Sequence, residues 1–136
     1  MIKGEDIALV TNTVNRVLLC MDNEALNKEG EGFAACFTED GKCEVKIMNA
    51  VSEGREQLKA LGYGLYTKFQ PAMHLEGNVV VEATEVDGEV RNTSYWQAFK
   101  DGECISYGVH NDVLVKVGAE YKIKSRIITH TWTKPK

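Results

Sequence analysis

Three histidines, at positions 74, 110 and 130, are the side chains in this chain best suited to moving protons. An unperturbed imidazole titrates near pH ~6.5 and can give or take a proton around neutrality. His110 stands two residues before Asp112, so on a strand the two share a face. That pair could supply an acid or a hydrogen-bond donor to a bound molecule. Asp112 could equally close an ion pair within a sheet, and a tight turn at Asp101-Gly102 would set Arg91 opposite it. Arg126 carries a planar fork that can grip a carboxylate or phosphate, or bind a carboxylate of the sheet itself. Alternation puts His130 and Trp132 on the face of Arg126, with Trp132 as wall or oligomer contact. Trp96 belongs to the aromatic bulk around the expected cup, most of it ordinary core.

The same inventory argues against a resident metal or cofactor. The histidines lack the close paired spacing of zinc ligands, and no H-E-x-x-H occurs. Cys20, Cys36, Cys43 and Cys104 form no C-x-x-C pair and read as free thiols rather than a disulfide framework. No glycine-rich loop follows a strand and opens a helix, as dinucleotide binding requires. Any chemistry is therefore expected to be acid–base work by side chains alone.

These residues need elements to carry them. Asp87-Gly88 and Asp101-Gly102 each separate alternating apolar and polar runs, a strong hairpin signal, and Gly118-Ala119 marks a looser turn. Strands are expected near 72–86, 89–100, 103–117 and 120–133, in an antiparallel meander. Upstream, Ile7, Val10, Val14, Val17, Leu18 and Met21 recur at helical spacing over residues 5–21. Asp22-Asn23 breaks or caps that helix, and Asp22 is itself a good N-cap for the next one. This second helix is expected near 23–37, either whole or, because Gly30 and Gly32 interrupt it, as two pieces joined by a loop. Glu39-Asp40-Gly41 reads as a turn, and residues 42–48 alternate as a half-buried strand. Ser52 can cap a third helix over 53–68, which Pro71 cannot continue. Strict alternation sets His74 with Glu76, Asn78 and Glu82 on a face more solvated than that of Met73 and Leu75. A bulge at Gly77 would reset the pattern. Helices covering one face of a long curved sheet make a cup, and cups bind small molecules.

The chain has 136 residues, 43% of them hydrophobic and 26% charged, and a formal charge of -4, which suits one domain (1–136) with one core. Scattered Lys and Arg give no basic stripe, so no nucleic-acid partner is expected. No apolar run reaches the length of a membrane span. The N-terminal residues lack the apolar core of a signal peptide, so a cytoplasmic location is expected.

Several pieces together resemble the SnoaL-like branch of the nuclear-transport-factor-2-like superfamily. They are Phe37-Thr38-Glu39-Asp40-Gly41, Gly54-Arg55, His74-Leu75-Glu76-Gly77-Asn78, Asp87-Gly88, Gly108-Val109-His110-Asn111-Asp112 and Tyr121-Lys122-Ile123-Lys124-Ser125-Arg126. The resemblance implies an α+β, cone-shaped barrel with three N-terminal helices packed on a strongly curved, mostly antiparallel sheet. It implies a pocket for a small apolar or cyclic ligand, and a homodimer or homotrimer formed through the outer sheet. Scytalone dehydratase and its relatives use an Asp at the end of the first helix to orient a His at the start of a later strand. Asp22 and His74 fall at the matching points, as candidate orienter and base. His110, Asp112, Arg126 and Trp96 become candidate substrate contacts. The implied activity is a cofactor-free dehydratase, cyclase or isomerase reaction on a polyketide-like molecule. The family tyrosine of the first helix is absent here, where Val17 and Leu18 stand, and no secure base sits near Glu44 on the first strand. Those departures keep open a non-catalytic binding or oligomerisation module of the same fold.

Overall fold

The computed structural model describes residues 2–70 and 72–136; Pro71, expected to stop the third helix, lies outside them. The first helix, α1 (Gly4–Asp22), buries Val10, Val14, Val17, Leu18 and Met21 along the stripe set by their spacing. Burying each such side chain contributes roughly 1.5–3 kcal/mol. Asp6 starts the helix by accepting from the Lys3 N–H and from the Tyr121 hydroxyl, the latter at 2.9 Å. Thr13 donates to the Tyr121 carbonyl at 2.6 Å, so the last strand grips α1 at two points.

The expected second helix is broken into α2 (Glu24–Asn27), a 3-10 turn over Lys28–Gly30, and α3 (Glu31–Ala34). Asn23, not Asp22, caps α2, accepting from the N–H groups of Ala25 and Leu26. That leaves the Asp22 carboxylate free for other work. Buried Asn27 ties the segment down, donating to the carbonyls of Cys20 and Gly62 and accepting from the Gly30 N–H. The helix expected third, α4 (Arg55–Phe69), is the second long one and opens after Gly54; Ser52 lies instead in a short strand, and Gln57 accepts from the Glu53 N–H. Gly62 lets α4 approach α3, because a Cβ there would collide with the Phe33 side chain. Gly62→Val is expected to lower stability by roughly 1–3 kcal/mol through overpacking, read from the denaturant midpoint at unchanged m-value.

The strands are β1 (Phe37–Val45), β2 (Ala50–Glu53), β3 (Ala72–Ala83), β4 (Glu89–Lys100), β5 (Glu103–Val117) and β6 (Glu120–Thr133). They form one open sheet in the order β2-β1-β6-β5-β4-β3. Glu39-Asp40-Gly41 falls inside β1 rather than in a turn, while Ile47 lies beyond its end, exposed in a 3-10 turn. All pairings are antiparallel except β1 with β6. The Asp101-Gly102 turn has positive φ at both residues and closes the β4–β5 hairpin, as expected. Asp87-Gly88 sits within a longer loop, since pairing stops at Ala83 and Val90.

Bulges bend this sheet. Register shifts lie between Gly77 and Val80 in β3, between Ala98 and Phe99 in β4, and at two places in the β5–β6 pair. The sheet curls so that α1 touches both β3 and β6, three strands apart in the order. At one end of the inner face Val90, Leu114 and Ile123 meet α1 in an apolar core. At the other end the inner face is polar.

Candidate active site

That polar end follows from the bulge in β3. Asn78 adopts φ +55° beside Gly77, and the alternation changes phase there. After the bulge Val79 and Val81 pack on the core and Val80 faces out. Before it, His74 and Glu76 face in, while Met73 and Leu75 are exposed. Before the bulge, the face that looked solvated in the sequence is the inner one and Met73 and Leu75 lie outside; after it Val79 and Val81 face in, so the bulge at Gly77 resets the pattern as expected.

His74 meets Asp22 at the end of α1. Its Nδ1 lies 2.6 Å from Asp22 Oδ1, and its backbone N–H donates to Asp22 Oδ2, also at 2.6 Å. Their side chains keep 10% and 13% exposure, enough for the pair to touch solvent. The ring nitrogen turned to the carboxylate is Nδ1, which leaves Nε2 directed away from Asp22. Gln70 donates to the Met21 carbonyl at 3.0 Å and holds the end of α4 against the same helix terminus.

Deeper inside, Glu76 binds His110. Its two oxygens stand 2.9 and 3.0 Å from His110 Nδ1, and the Ser94 hydroxyl donates to Oε1. Neither side chain keeps more than 2% exposure. Burial raises Glu76 above the usual glutamate range, against the pull of Arg126 and of Ser94. Burial, helped by the Arg126 charge, holds His110 well below the usual histidine range. Both His74 and His130 lie near enough to His110 to lower it further, so the chain's three histidines converge on one region.

Asp112 is held by Arg126, which donates from Nε at 2.7 Å and from Nη2 at 2.9 Å, with both side chains fully buried. Asn92 adds a donor at 3.0 Å. The expected Arg91–Asp112 pairing does not form. The bulge beside Ala98 shifts the register, so Asp112 faces Asn92 and Arg91 faces Val113. Trp96 is buried between His110, stacked at 6.0 Å, and His130, edge-on at 4.7 Å. Gly108 makes room for it, because a Cβ there would strike both the Trp96 ring and the Thr129 carbonyl. Trp132 does not share the face of Arg126 and His130. The second β5–β6 bulge turns it outward, where it stacks on Tyr107 at 5.7 Å.

Among the described residues, the buried Nε1 of Trp96, Nη1 of Arg126, Nδ1 of His130 and Oδ1 of Asn92 have no hydrogen-bond partner. No group of three or more metal-ligating side chains occurs among those residues, and no helix among them is long and apolar enough to cross a membrane. The cysteines are free thiols. Two surface concavities, of about 90 Å³ around Asp6 and Thr84 and about 280 Å³ around Lys59 and Tyr63, lie away from His74. Sequence reading missed Glu76, Ser94 and Asn92 as members of the polar cluster. The available signal was the spacing of Glu76, two residues from His74.

A polar interior at one end of a curled sheet, with a carboxylate–imidazole pair beside it, defines a class of small α+β folds. Residues 3–127 match the family model of the SnoaL-like domain, and the chain belongs to that family. No curated protein matches it. Among solved structures it is similar to a Nostoc punctiforme protein of unknown function with a cystatin-like fold (18% identity, 98% of this chain and 97% of that one, TM-score 0.84). It is also similar to ActVI-ORFA from Streptomyces coelicolor (23% identity, 91% and 96%, TM-score 0.75). A third is the hexachlorocyclohexane dehydrochlorinase LinA-type3 from Novosphingobium barchaimii (14% identity, 95% and 88%, TM-score 0.77). At these identities the likeness to solved structures establishes the fold.

Proposed function

We propose that this chain is a cofactor-free enzyme acting on a small cyclic, polyketide-like molecule. It takes a proton from carbon and couples that step to elimination, cyclisation or isomerisation. The observation that carries this reading is the contact of His74 Nδ1 with Asp22 Oδ1 at 2.6 Å. The carboxylate fixes the tautomer, leaves Nε2 as the base and stabilises the imidazolium that forms. A neighbour named for removing hydrogen chloride lends the reading support, since elimination also begins at a carbon-bound proton. His110, Asp112, Arg126 and Trp96 are proposed to shape and anchor the bound molecule. The test uses two simple cyclic ketones. The protein is expected to speed exchange of the α-hydrogens of cyclohexanone in heavy water, followed by NMR. It is expected to dehydrate 3-hydroxycyclohexanone to the conjugated enone, followed by ultraviolet absorbance. Rates equal to buffer with both compounds would refute the reading.

A second reading, a non-catalytic binding module, is favoured by the two concavities, neither of which is lined by His74. It expects binding of small apolar compounds without exchange or elimination.

We also propose that copies of this chain associate through the outer sheet face. Leu75, Tyr95, Tyr107 and Trp132 are exposed there on neighbouring strands around Gln97, and a cluster of exposed aromatic and apolar side chains of this kind marks an interaction site. Light scattering is expected to report a dimer or trimer, and Tyr95→Asp with Tyr107→Asp a monomer of unchanged helicity. A monomeric parent protein would exclude the interface. A cytoplasmic location stays part of the same proposal.

A further inference from the structure

If His74 removes a proton from carbon, an elimination also needs a group that gives one to the departing atom. We propose that Glu76 and His110 form that second pair: Glu76 stores a proton and passes it through His110 to a leaving hydroxyl, which assigns the reaction as a dehydration. This rests on the His74 base of the preceding section and goes beyond it in naming the donor.

The geometry suits a relay. Glu76 and His74 are two residues apart on the inner face of β3. Both Glu76 oxygens sit on His110 Nδ1, so the other ring nitrogen, Nε2, is the one left for a substrate. Ser94 donates to Oε1, and its hydrogen bond favours the carboxylate left after proton transfer. Neither group has another ionic partner: Asp112 takes up Arg126, and Asp22 takes up His74. A fully buried carboxyl next to a fully buried imidazole is costly unless it is neutral or paired.

The step balances. His74 Nε2 takes the proton from the carbon beside the carbonyl, and that electron pair forms the new double bond. The carbon–oxygen bond breaks. The proton on His110 Nε2 joins the leaving oxygen as water, while the Glu76 proton moves onto His110 Nδ1. The chain then holds a His74 imidazolium against Asp22 and a Glu76 carboxylate against Ser94. The starting state returns when His74 gives its proton to solvent and His110 takes a solvent proton at Nε2 as it hands the Nδ1 proton back to Glu76. No buried imidazolium forms at His110, in keeping with its resistance to protonation.

The groups facing the pair are His74 from β3, with Asp22 behind it on α1, Asn92 and Ser94 from β4, Asp112 from β5, and Arg126 and His130 from β6. The donor works only while Glu76 is protonated. Dehydration is therefore expected to fall as pH rises through the Glu76 titration. Ser94→Ala, which removes a hydrogen bond favouring the carboxylate, is expected to move that fall to higher pH.

The experiment compares dehydration of 3-hydroxycyclohexanone with hydrogen exchange of cyclohexanone in the full chain. Glu76→Gln keeps the size and a hydrogen bond to His110 but has no proton to give. The ratio of dehydration to exchange is expected to drop by on the order of 10²-fold, within the range for general acid catalysis. The fall at high pH should disappear with it. Glu76→Asp is expected to restore part of the ratio and the pH dependence. An unchanged ratio and pH profile in Glu76→Gln, or no movement of the fall in Ser94→Ala, would overturn the relay while leaving His74 as base. Exchange that survives His74→Ala would instead overturn the base, and the relay with it.

Discussion

His74→Ala is expected to lower the exchange of cyclohexanone α-hydrogens, and the dehydration of its 3-hydroxy derivative, by on the order of 10²–10⁴-fold. Asp22→Asn should cost a similar factor. The amide can donate to Nδ1 and so favours the tautomer with its proton on Nε2, which removes the base without moving the ring. Asp22 also accepts the backbone N–H of His74 at 2.6 Å, tying the end of α1 to the start of β3. Hydrogen bonds to a charged group contribute about 1.5–3 kcal/mol, so Asp22→Asn should also lower the melting temperature. His74→Ala keeps its backbone N–H and with it that tie. The two variants separate the readings. If the pair only fastens α1 to the sheet, Asp22→Asn loses stability and neither variant loses turnover. If the pair removes protons, rates corrected for folded protein collapse in both. Full exchange activity in His74→Ala would end the catalytic proposal.

How far these residues could be read in advance depended on what alternation encodes. The hairpin turns at Asp101-Gly102 and Gly118-Ala119 were legible because a positive φ demands particular residues, and both are present. The stripe of α1 was legible because Val10, Val14, Val17 and Leu18 repeat at helical spacing. Alternation also divides β3 into two faces, but it does not say which is inside. Here hydrophobicity misleads: His74 and Glu76 point inward, and Met73 and Leu75 outward. Counting from turns failed wherever a bulge intervened, since one extra residue exchanges the faces. That moved Asp112 from Arg91 to Asn92, and Trp132 from the inner face to the outer. Asp22 and His74 could be matched only by resemblance, because 52 residues and the whole curl of the sheet separate them. Glu76 was hidden by the same mistaken face, although its parity with His74 was visible.

Arg126→Met is expected to be the most destabilising single change in the sheet. It removes two hydrogen bonds, at 2.7 and 2.9 Å, from a fully buried Asp112 and leaves that carboxylate with Asn92 alone. Breaking one partner from a buried pair costs about 3–5 kcal/mol, because the remaining charge stays without compensation. For a domain of this size that is a fall of roughly 10–20 °C in melting temperature. Arg126→Lys should recover only part of it, since an ammonium cannot reproduce the two-pronged contact. Replacing both partners, with Arg126→Met and Asp112→Leu together, should be less harmful than Arg126→Met alone, because no orphaned charge remains. If Arg126→Met melted within a degree or two of the parent protein, the pair would not be what holds β5 to β6 here. The same series tests the anchoring role proposed for Arg126. Its Nη1 has no partner among the described residues, whereas Nε and Nη2 each donate to Asp112. A purely structural arginine predicts that the double variant, once folded, binds and turns over as the parent does. An arginine that also grips the substrate through Nη1 predicts a raised KM in the double variant even where its stability is restored.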